Sequence, residues 1–328
     1  MATKVHIAPK EKVVVKNKLS FVAGALLALG LSGQALAQTK IEVGITWAGK
    51  STATTRLYTS MKDRLQEIAP QISLEYAGEQ PDIGKVEEII KNFDSTKAAT
   101  VALRDSAATL LSKLKTNNPT FVGGTNNPKF YGTINNLQAP EGKITGVSYF
   151  IPKDIIIRSF ISLLPEADSF SFIGDSKHSS YAVDKEGSEE ACKQLKLRCS
   201  FHSVTTADEA KDIAARNPDA AKALVLMNHG LMIDNTKAIV ASAGKVPAFA
   251  FGDASVKDGA VAGLVADVSK LGVLLADAIN DVLVKKKPIS AVPVGLDNQS
   301  LLVINMTSVT RLGLNIPLEI LSTGTVVD

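Results

Sequence analysis

From residue 40 to the C-terminus, short β-branched apolar runs alternate with longer stretches in which apolar residues return every three to four positions. That switch of period separates half-buried strands from amphipathic helices. It predicts a strand over 40–46 and a helix over 54–68, with Leu57, Met61, Leu65 and Ile68 on one stripe. Strands over 72–76, 99–103 and 120–123 follow, separated by helices over 83–92 and 106–115. A Gly-, Asn- and Pro-rich passage over 124–143 breaks the rhythm, which then restarts. Helices over 155–164, 185–195, 208–217 and 235–243 now alternate with strands over 169–174, 200–203, 223–227 and 247–251. In the tail, a small-residue strand over 259–266 leads to Asp267, which can cap a helix over 268–285. Leu271, Leu275, Ile279 and Val282 form the inward stripe of that helix, and Lys-Lys-Lys-Pro at 285–288 stops it. A crossing segment over 292–296, a strand over 301–305 and a short helix ending at Gly313 complete the pattern.

Regular strand-then-helix alternation implies an α/β fold with parallel sheets, covered by helices and wound right-handedly. Two runs of it, parted near residues 145–150, predict two Rossmann-like lobes. Ligands of such sheets lie beyond the carboxyl ends of the strands, here in the cleft between the lobes. The polar residues ending the strands are therefore the candidate contacts. On the first lobe these are Thr46, Trp47, Lys50, Ser51, Arg104, Asp105, Ser106, Thr125 and Asn126. On the second they are Asp175, Ser179, Ser180, Tyr181, Asn228, His229 and Asp253. Trp47, the only tryptophan, is either a platform for a planar ligand or a core residue. Asp253 suits a ligand's ammonium group, or else caps a turn. Lys50 or Arg104 suits a carboxylate, so an amino acid or related zwitterion fits both ends. Hinge glycines are expected at Gly146, Gly252 and Gly295, in passages near 145–150, 251–255 and 292–295, unless these are plain turn residues.

The leader changes where this fold is expected to work. Lys4, Lys10, Lys12, Lys16 and Lys18 precede an apolar run that ends in Ala35-Leu36-Ala37, as in a secretory signal cleaved before Gln38. The run is short, and Gly30, Ser32 and Gly33 interrupt it, which disfavours a membrane anchor of roughly 20 apolar residues. No cysteine stands at the cleavage site to take a lipid, so a soluble, periplasmic product is expected. Of 36 basic and 33 acidic residues the leader holds five and one, leaving 31 and 32. The near-neutral remainder carries no basic, aromatic-rich signature of nucleic-acid binding. Cys192 and Cys199 are the two cysteines. In an oxidising compartment they are either a disulfide closed by a turn at Lys196-Leu197 or two separately packed thiols. They and four scattered histidines show no metal-ligand spacing, and no cofactor is expected.

Gly44-Ile45-Thr46-Trp47-Ala48-Gly49-Lys50-Ser51 matches the phosphate-binding pattern G-x-x-x-x-G-K-[ST]. Ile45, Thr46 and Trp47 look like continuing strand, whereas a phosphate cradle needs backbone free to curl. An exported enzyme using this loop is thus the lesser alternative. The loop can still offer free N–H groups to a polar ligand, or be a solvated turn with a capping hydroxyl. His229 stands near no nucleophile in the sequence, and no triad, carboxylate pair or cofactor fingerprint is present.

The second half resembles the ABC-transporter substrate-binding proteins of the tryptophan-binding-like family, which have the type I periplasmic binding protein fold. The resemblance lies in Ile144-Thr145-Gly146-Val147-Ser148, Leu163-Leu164-Pro165, Val256-Lys257-Asp258-Gly259-Ala260, Asp267 and Leu271-Gly272. It continues through Lys287-Pro288, Pro293-Val294, Ile304-Asn305 and Leu312-Gly313-Leu314-Asn315-Ile316-Pro317. Val43-Gly44-Ile45 and Asp105-Ser106-Ala107-Ala108 match the first half more loosely. Asn127-Pro128 replaces the family's Asp-Pro, and Ser322-Thr323-Gly324-Thr325 stands where the family has a C-terminal helix. The resemblance implies two lobes joined by three crossovers, closing on a small solute and presenting it to an ABC permease. The expected limits are 1–37 for the signal, 38–146 plus about 254–291 for lobe 1, and 147–253 plus about 292–328 for lobe 2. A monomer without catalysis is expected, delivering its ligand to a permease or, alternatively, to a sensor or chemoreceptor.

Overall fold

In a computed structural model, residues 40–328 are described; the expected export signal and its cleavage point lie outside them. The first strand-helix run comprises β1 (Ile41–Ala48), α1 (Thr52–Ile68), β2 (Ile72–Gln80), α2 (Ile83–Thr96) and β3 (Ala99–Leu103). It continues through α3 (Asp105–Leu111), β4 (Thr120–Thr125) and β5 (Ile144–Ser148). The second run begins with α4 (Lys153–Leu163), β6 (Ser169–Asp175), α5 (Tyr181–Leu195), β7 (Arg198–Val204) and α6 (Ala207–Arg216). Then come β8 (Ala223–Leu226), α7 (Gly230–Ala243), β9 (Ala248–Ala250), α8 (Asp253–Lys257) and β10 (Ala262–Val265). The tail supplies α9 (Val268–Leu283), β11 (Gly295–Leu296), β12 (Leu301–Asn305), α10 (Met306–Leu312), α11 (Leu318–Thr323) and β13 (Thr325–Val327).

Lobe 1 is built on a six-stranded, all-parallel sheet in the order β11-β5-β4-β3-β1-β2. Alternation along β1 sends Val43, Ile45 and Trp47 to one face, against Leu57, Met61 and Leu65 of α1 and the Leu271, Leu275, Ile279 stripe of α9. On the opposite face Gly44 lies under the Phe93 ring of α2, where a Cβ would collide with it. Lobe 2 holds a parallel sheet in the order β7-β6-β8-β9. Beside β9 runs a smaller sheet in which β10 is antiparallel and β13 parallel to β12. Phe160, Phe170, Phe172 and Phe249 fill the lobe 2 core, with Phe160 and Phe249 stacked at 4.5 Å.

The two-lobed α/β architecture expected from the alternation is present, but strand pairing redraws the lobe limits. α8 and β10, expected with lobe 1, follow β9 closely and pack onto lobe 2, where β10 pairs with β12. β11, expected with lobe 2, instead pairs with β5 in lobe 1. The chain therefore passes between lobes after Ser148, after Val265 and after Leu296. Of the expected hinge glycines, Gly146 and Gly295 sit in the strands that lead into the first and third passages. Gly252 lies between β9 and α8 inside lobe 2, so the passage expected near 251–255 falls instead after Val265. Gly146 lies inside β5, where an added Cβ would overlap the Val122 carbonyl of β4. At 322–325, where the family's C-terminal helix is expected to be replaced, the short helix α11 ends at Thr323 and β13 begins at Thr325.

Two side-chain devices fix the joints. Cys192, in the last turn of α5, and Cys199, in β7, form a disulfide across a turn in which Lys196 is left-handed, with Cα atoms 6.3 Å apart. At the second passage Asp267 caps α9, accepting from the Ser269 and Lys270 amides. Its own amide donates at 2.8 Å to Asp297, the first residue of the third passage. Asp297 also accepts Lys270 Nζ at 2.7 Å, so the second and third passages are tied together.

Candidate functional site

β3 and β4 of lobe 1 end facing the ends of β6 and β8 of lobe 2, and a buried polar cluster joins them. Asp105, the first residue of α3, accepts the Asn126 amide at 2.6 Å and the Thr125 hydroxyl at 3.1 Å on one carboxylate oxygen. Its other oxygen accepts the Tyr149 hydroxyl at 2.9 Å, from the first inter-lobe passage. Asn126 then reaches across the cleft, and its Nδ2 donates to Asp184 of α5 at 3.0 Å. Asp184 also takes Lys153 Nζ at 2.6 Å and the Ser180 hydroxyl at 3.2 Å. His229 caps this group from the β8–α7 turn. Its Nδ1 accepts the Asp175 amide at 2.9 Å, which leaves the ring proton on Nε2, 3.4 Å from Asp184. His178 stacks on His229 with ring centroids 4.4 Å apart. Asn126 and His229 are 2% and 0% exposed, so the cleft is shut over them.

The two carboxylates differ in electrostatics. Burial alone would raise Asp184, but Lys153, with help from His229, holds it well below the ordinary range. Asp105 has no such cation, and burial pushes it up against the pull of its three hydrogen bonds. Burial likewise raises the Tyr149 and Tyr131 hydroxyls, which stay neutral. His178 is pushed down to about 4 by burial and by His229 beside it.

Arg104 adds strain to the lobe 1 wall. Its backbone holds φ 83° and ψ 163°, a region that only glycine occupies comfortably. The conformation lets its guanidinium donate to the Ala48 carbonyl at 2.6 Å, pinning the end of β1 to that of β3. At the rim, Arg56 of α1 reaches Asp253 of α8 at 3.5 Å, a second bridge between lobes.

A family model described as ABC transporter substrate binding protein matches residues 42–327. The chain belongs to that family. Among its relatives is the tyrosine-binding protein of Clostridioides difficile, 19% identical over 249 residues, spanning 75% of this chain and 72% of the relative. A Streptococcus pneumonia ABC domain solved in complex with L-Trp shares the fold, with a TM-score of 0.76 at 21% identity, covering 88% of this chain and 100% of that one. So does the ligand-free, open form of a Clostridium difficile substrate-binding protein with adhesive properties, with a TM-score of 0.75 at 18% identity, covering 88% and 99%.

In this substrate-binding protein, the strand-end residues fall into three groups. Asp105, Thr125, Asn126, Ser180 and His229 meet in the cluster, and Asp175 and Arg104 adjoin it. Tyr181 lies beside the His229 ring at 6.1 Å, and Asn228 packs under Gly252. Ser106 is half-buried in the first turn of α3, and Ser179 is exposed on the β6–α5 turn. Trp47 is displaced from the expected cleft role. Strand parity puts it on the core face, 5.8 Å from Tyr58 and 5.1 Å from Tyr76, while its neighbour Thr46 takes the other face. Asp253 is displaced too as a free anion, because Arg56 and Lys257 at 2.9 Å already neutralise it.

The phosphate-loop pattern dissolves in the structure. Gly44 to Trp47 are strand interior, leaving a short turn in which Gly49 has positive φ, Lys50 is exposed and Ser51 caps α1 through the Thr54 amide. Tyr131, Tyr149, Lys153, His178 and Asp184 are cluster members absent from the sequence candidates, although Tyr149 directly follows β5 and His178 lies just past β6. Lys153 opens α4 just past a passage, and Asp184 lies in the first turn of α5, four residues beyond the capping Ser180.

Proposed function

We propose that this substrate-binding protein is the periplasmic receptor of an ABC importer, and that it shuts its lobes on a small zwitterion of the amino-acid class without transforming it. The observation that carries this reading is the buried Asn126–Asp184 hydrogen bond, which crosses from the lobe 1 wall to the lobe 2 wall in the floor of the cleft. A solute lodged there touches both lobes at once, so it binds the shut form better than the open one, which is what ligand-driven closure requires. Strained Arg104 supports a carboxylate-binding role on the lobe 1 wall. Relatives named for tyrosine and crystallised with L-Trp support an amino acid as cargo. The Lys-rich, small-residue-terminated leader supports export, and the match to a substrate-binding family supports a permease as partner. Among the described residues, the cluster's one hydroxyl–imidazole contact, Ser180 Oγ to His178 Nδ1 at 2.9 Å, is tied up structurally. The hydroxyl also reaches Asp184 at 3.2 Å and the Ser180 amide donates to the same ring nitrogen at 3.2 Å, while His229 Nδ1 is occupied by the Asp175 amide.

Native mass spectrometry of the protein purified from its exporting host without refolding tests the reading. A retained small molecule of zwitterionic composition is the expected result. The same molecule should raise Tm and shrink the radius of gyration. A ligand that stabilises the protein while leaving its solution shape unchanged would remove closure from the account.

A further inference from the structure

Asp105 is the one carboxylate of the shut cluster that no cation balances. Among the described residues no Lys, Arg or His nitrogen lies within 4.0 Å of it, whereas Asp184 has Lys153 at 2.6 Å. The groups facing Asp105 come from every wall. Thr125 and Asn126 approach from the end of β4, Tyr131 from the following loop, Tyr149 from the first passage and Asp184 from α5. Arg104, adjacent in sequence, turns its guanidinium to the Ala48 carbonyl instead. Lys153 is spent on Asp184, and His178 and His229 stand behind that pair.

A second observation concerns which polar atoms stay unpartnered there. Asn126 must present its Nδ2 to Asp184, because an ionised carboxylate only accepts. That orientation leaves Asn126 Oδ1 buried with no partner, and the buried Tyr131 hydroxyl also has none. Both atoms can accept a hydrogen bond, and Asp105 supplies the formal charge.

Resting on the reading of this cleft as the solute site, we infer that the solute carries an amine or ammonium group, and that this group docks on Asp105 within a collar of acceptors that includes Asn126 Oδ1. Asp105 thereby takes the part that the sequence assigned to Asp253. A proton follows from the same geometry. The shut cleft without solute buries the Asp105 charge, and burial pushes that carboxyl up, so closing takes up a proton. Closure of the empty protein is therefore favoured at low pH and lost as the pH rises through the raised value. An ammonium takes the proton's place, and its binding to the shut, protonated form releases that proton to solvent.

The test has one arm with solute and one without. In the first, calorimetry compares L-tryptophan with tryptamine and indole-3-propionate, and L-tyrosine with tyramine and 3-(4-hydroxyphenyl)propionate. Removing the amine should weaken binding by about 10- to 100-fold, the scale of a charged hydrogen bond. Asp105→Asn should erase most of that difference. Equal affinity for the amine-free probes overturns the inference and leaves the receptor reading standing. If none of the six binds, the aromatic amino-acid cargo fails and the second arm decides the inference. There, small-angle scattering follows the solute-free protein from pH 5 to 8. The wild type should open as pH rises, whereas Asp105→Asn should stay compact. A wild-type radius of gyration that does not change with pH overturns the inference, whether or not the variant folds.

Discussion

Arg104 stores backbone energy at the mouth of the site. Glycine relieves a φ of 83° but deletes the guanidinium, so Arg104→Gly should leave the fold as stable or about 1 kcal/mol more stable. The same change should weaken a carboxylate-bearing solute by about 1–3 kcal/mol. Urea unfolding alongside binding calorimetry checks both; loss of stability without loss of affinity would make Arg104 a purely structural residue. His178 gives a pH signature. Folded, it stays neutral down to about 4, while unfolded it takes its proton near 6.5, so folding excludes a proton between those values. Stability present above pH 6.5 should therefore fall as the pH drops toward 4. Asp105 acts in the opposite sense, since its raised carboxyl favours folding at low pH and that contribution is lost as pH rises. Comparing His178→Gln with the wild type isolates the histidine: Tm scans should show the slope flatten by about 1–3 kcal/mol after solvent screening. Identical slopes would show that the ring is as accessible to protons as in the unfolded chain. At this scale the sequence revealed Asp105, Asn126 and His229 because they lie at or just beyond the carboxyl ends of strands. Trp47 misled because parity within β1 decides its face, and the register that sets parity is a property of the whole sheet.

The helices and strands were largely legible. The apolar stripes of α1 and α9 identify both helices, and Asp267 marks the start of α9. Short β11 was not legible as part of lobe 1, since two residues have no periodicity and only pairing with β5 places them. α8, five residues long, was missed for the same reason. The Cys192–Cys199 bridge belongs to this scale because it fastens the far end of α5, whose first turn supplies Asp184. Replacing both cysteines by Ala should cost roughly 2–3 kcal/mol, as expected for so short a loop. Urea denaturation with and without reductant measures it; a reductant-insensitive wild type would mean that the bridge contributes nothing. Gly146→Ala should cost about 2–4 kcal/mol, because a Cβ there overlaps the Val122 carbonyl and β5 must move away from β4.

The two lobes stand in a shut state, held among the described residues by two side-chain bridges of unequal strength. The Asn126–Asp184 contact is buried, whereas Arg56 and Asp253 have side chains 46% and 29% exposed. The rim pair is thus worth at most about 1 kcal/mol and is screened by salt. Arg56→Ala should lower the shut fraction of solute-free protein up to about fivefold, read as a larger radius of gyration at low ionic strength, with the difference vanishing in 1 M salt. An unchanged radius at low salt would exclude the rim pair as a latch.

Asp297 has a mechanical consequence for how the lobes swing. Its bonds to the Asp267 amide and to Lys270 Nζ bundle two of the three inter-lobe ribbons, so the molecule turns on two pivots instead of three. Two points define an axle, and rotation about a single axle is a door's motion, without the wobble that independent ribbons permit. One of those pivots carries Tyr149, whose hydroxyl rests on Asp105. The door's own pin therefore touches whatever the doorway holds.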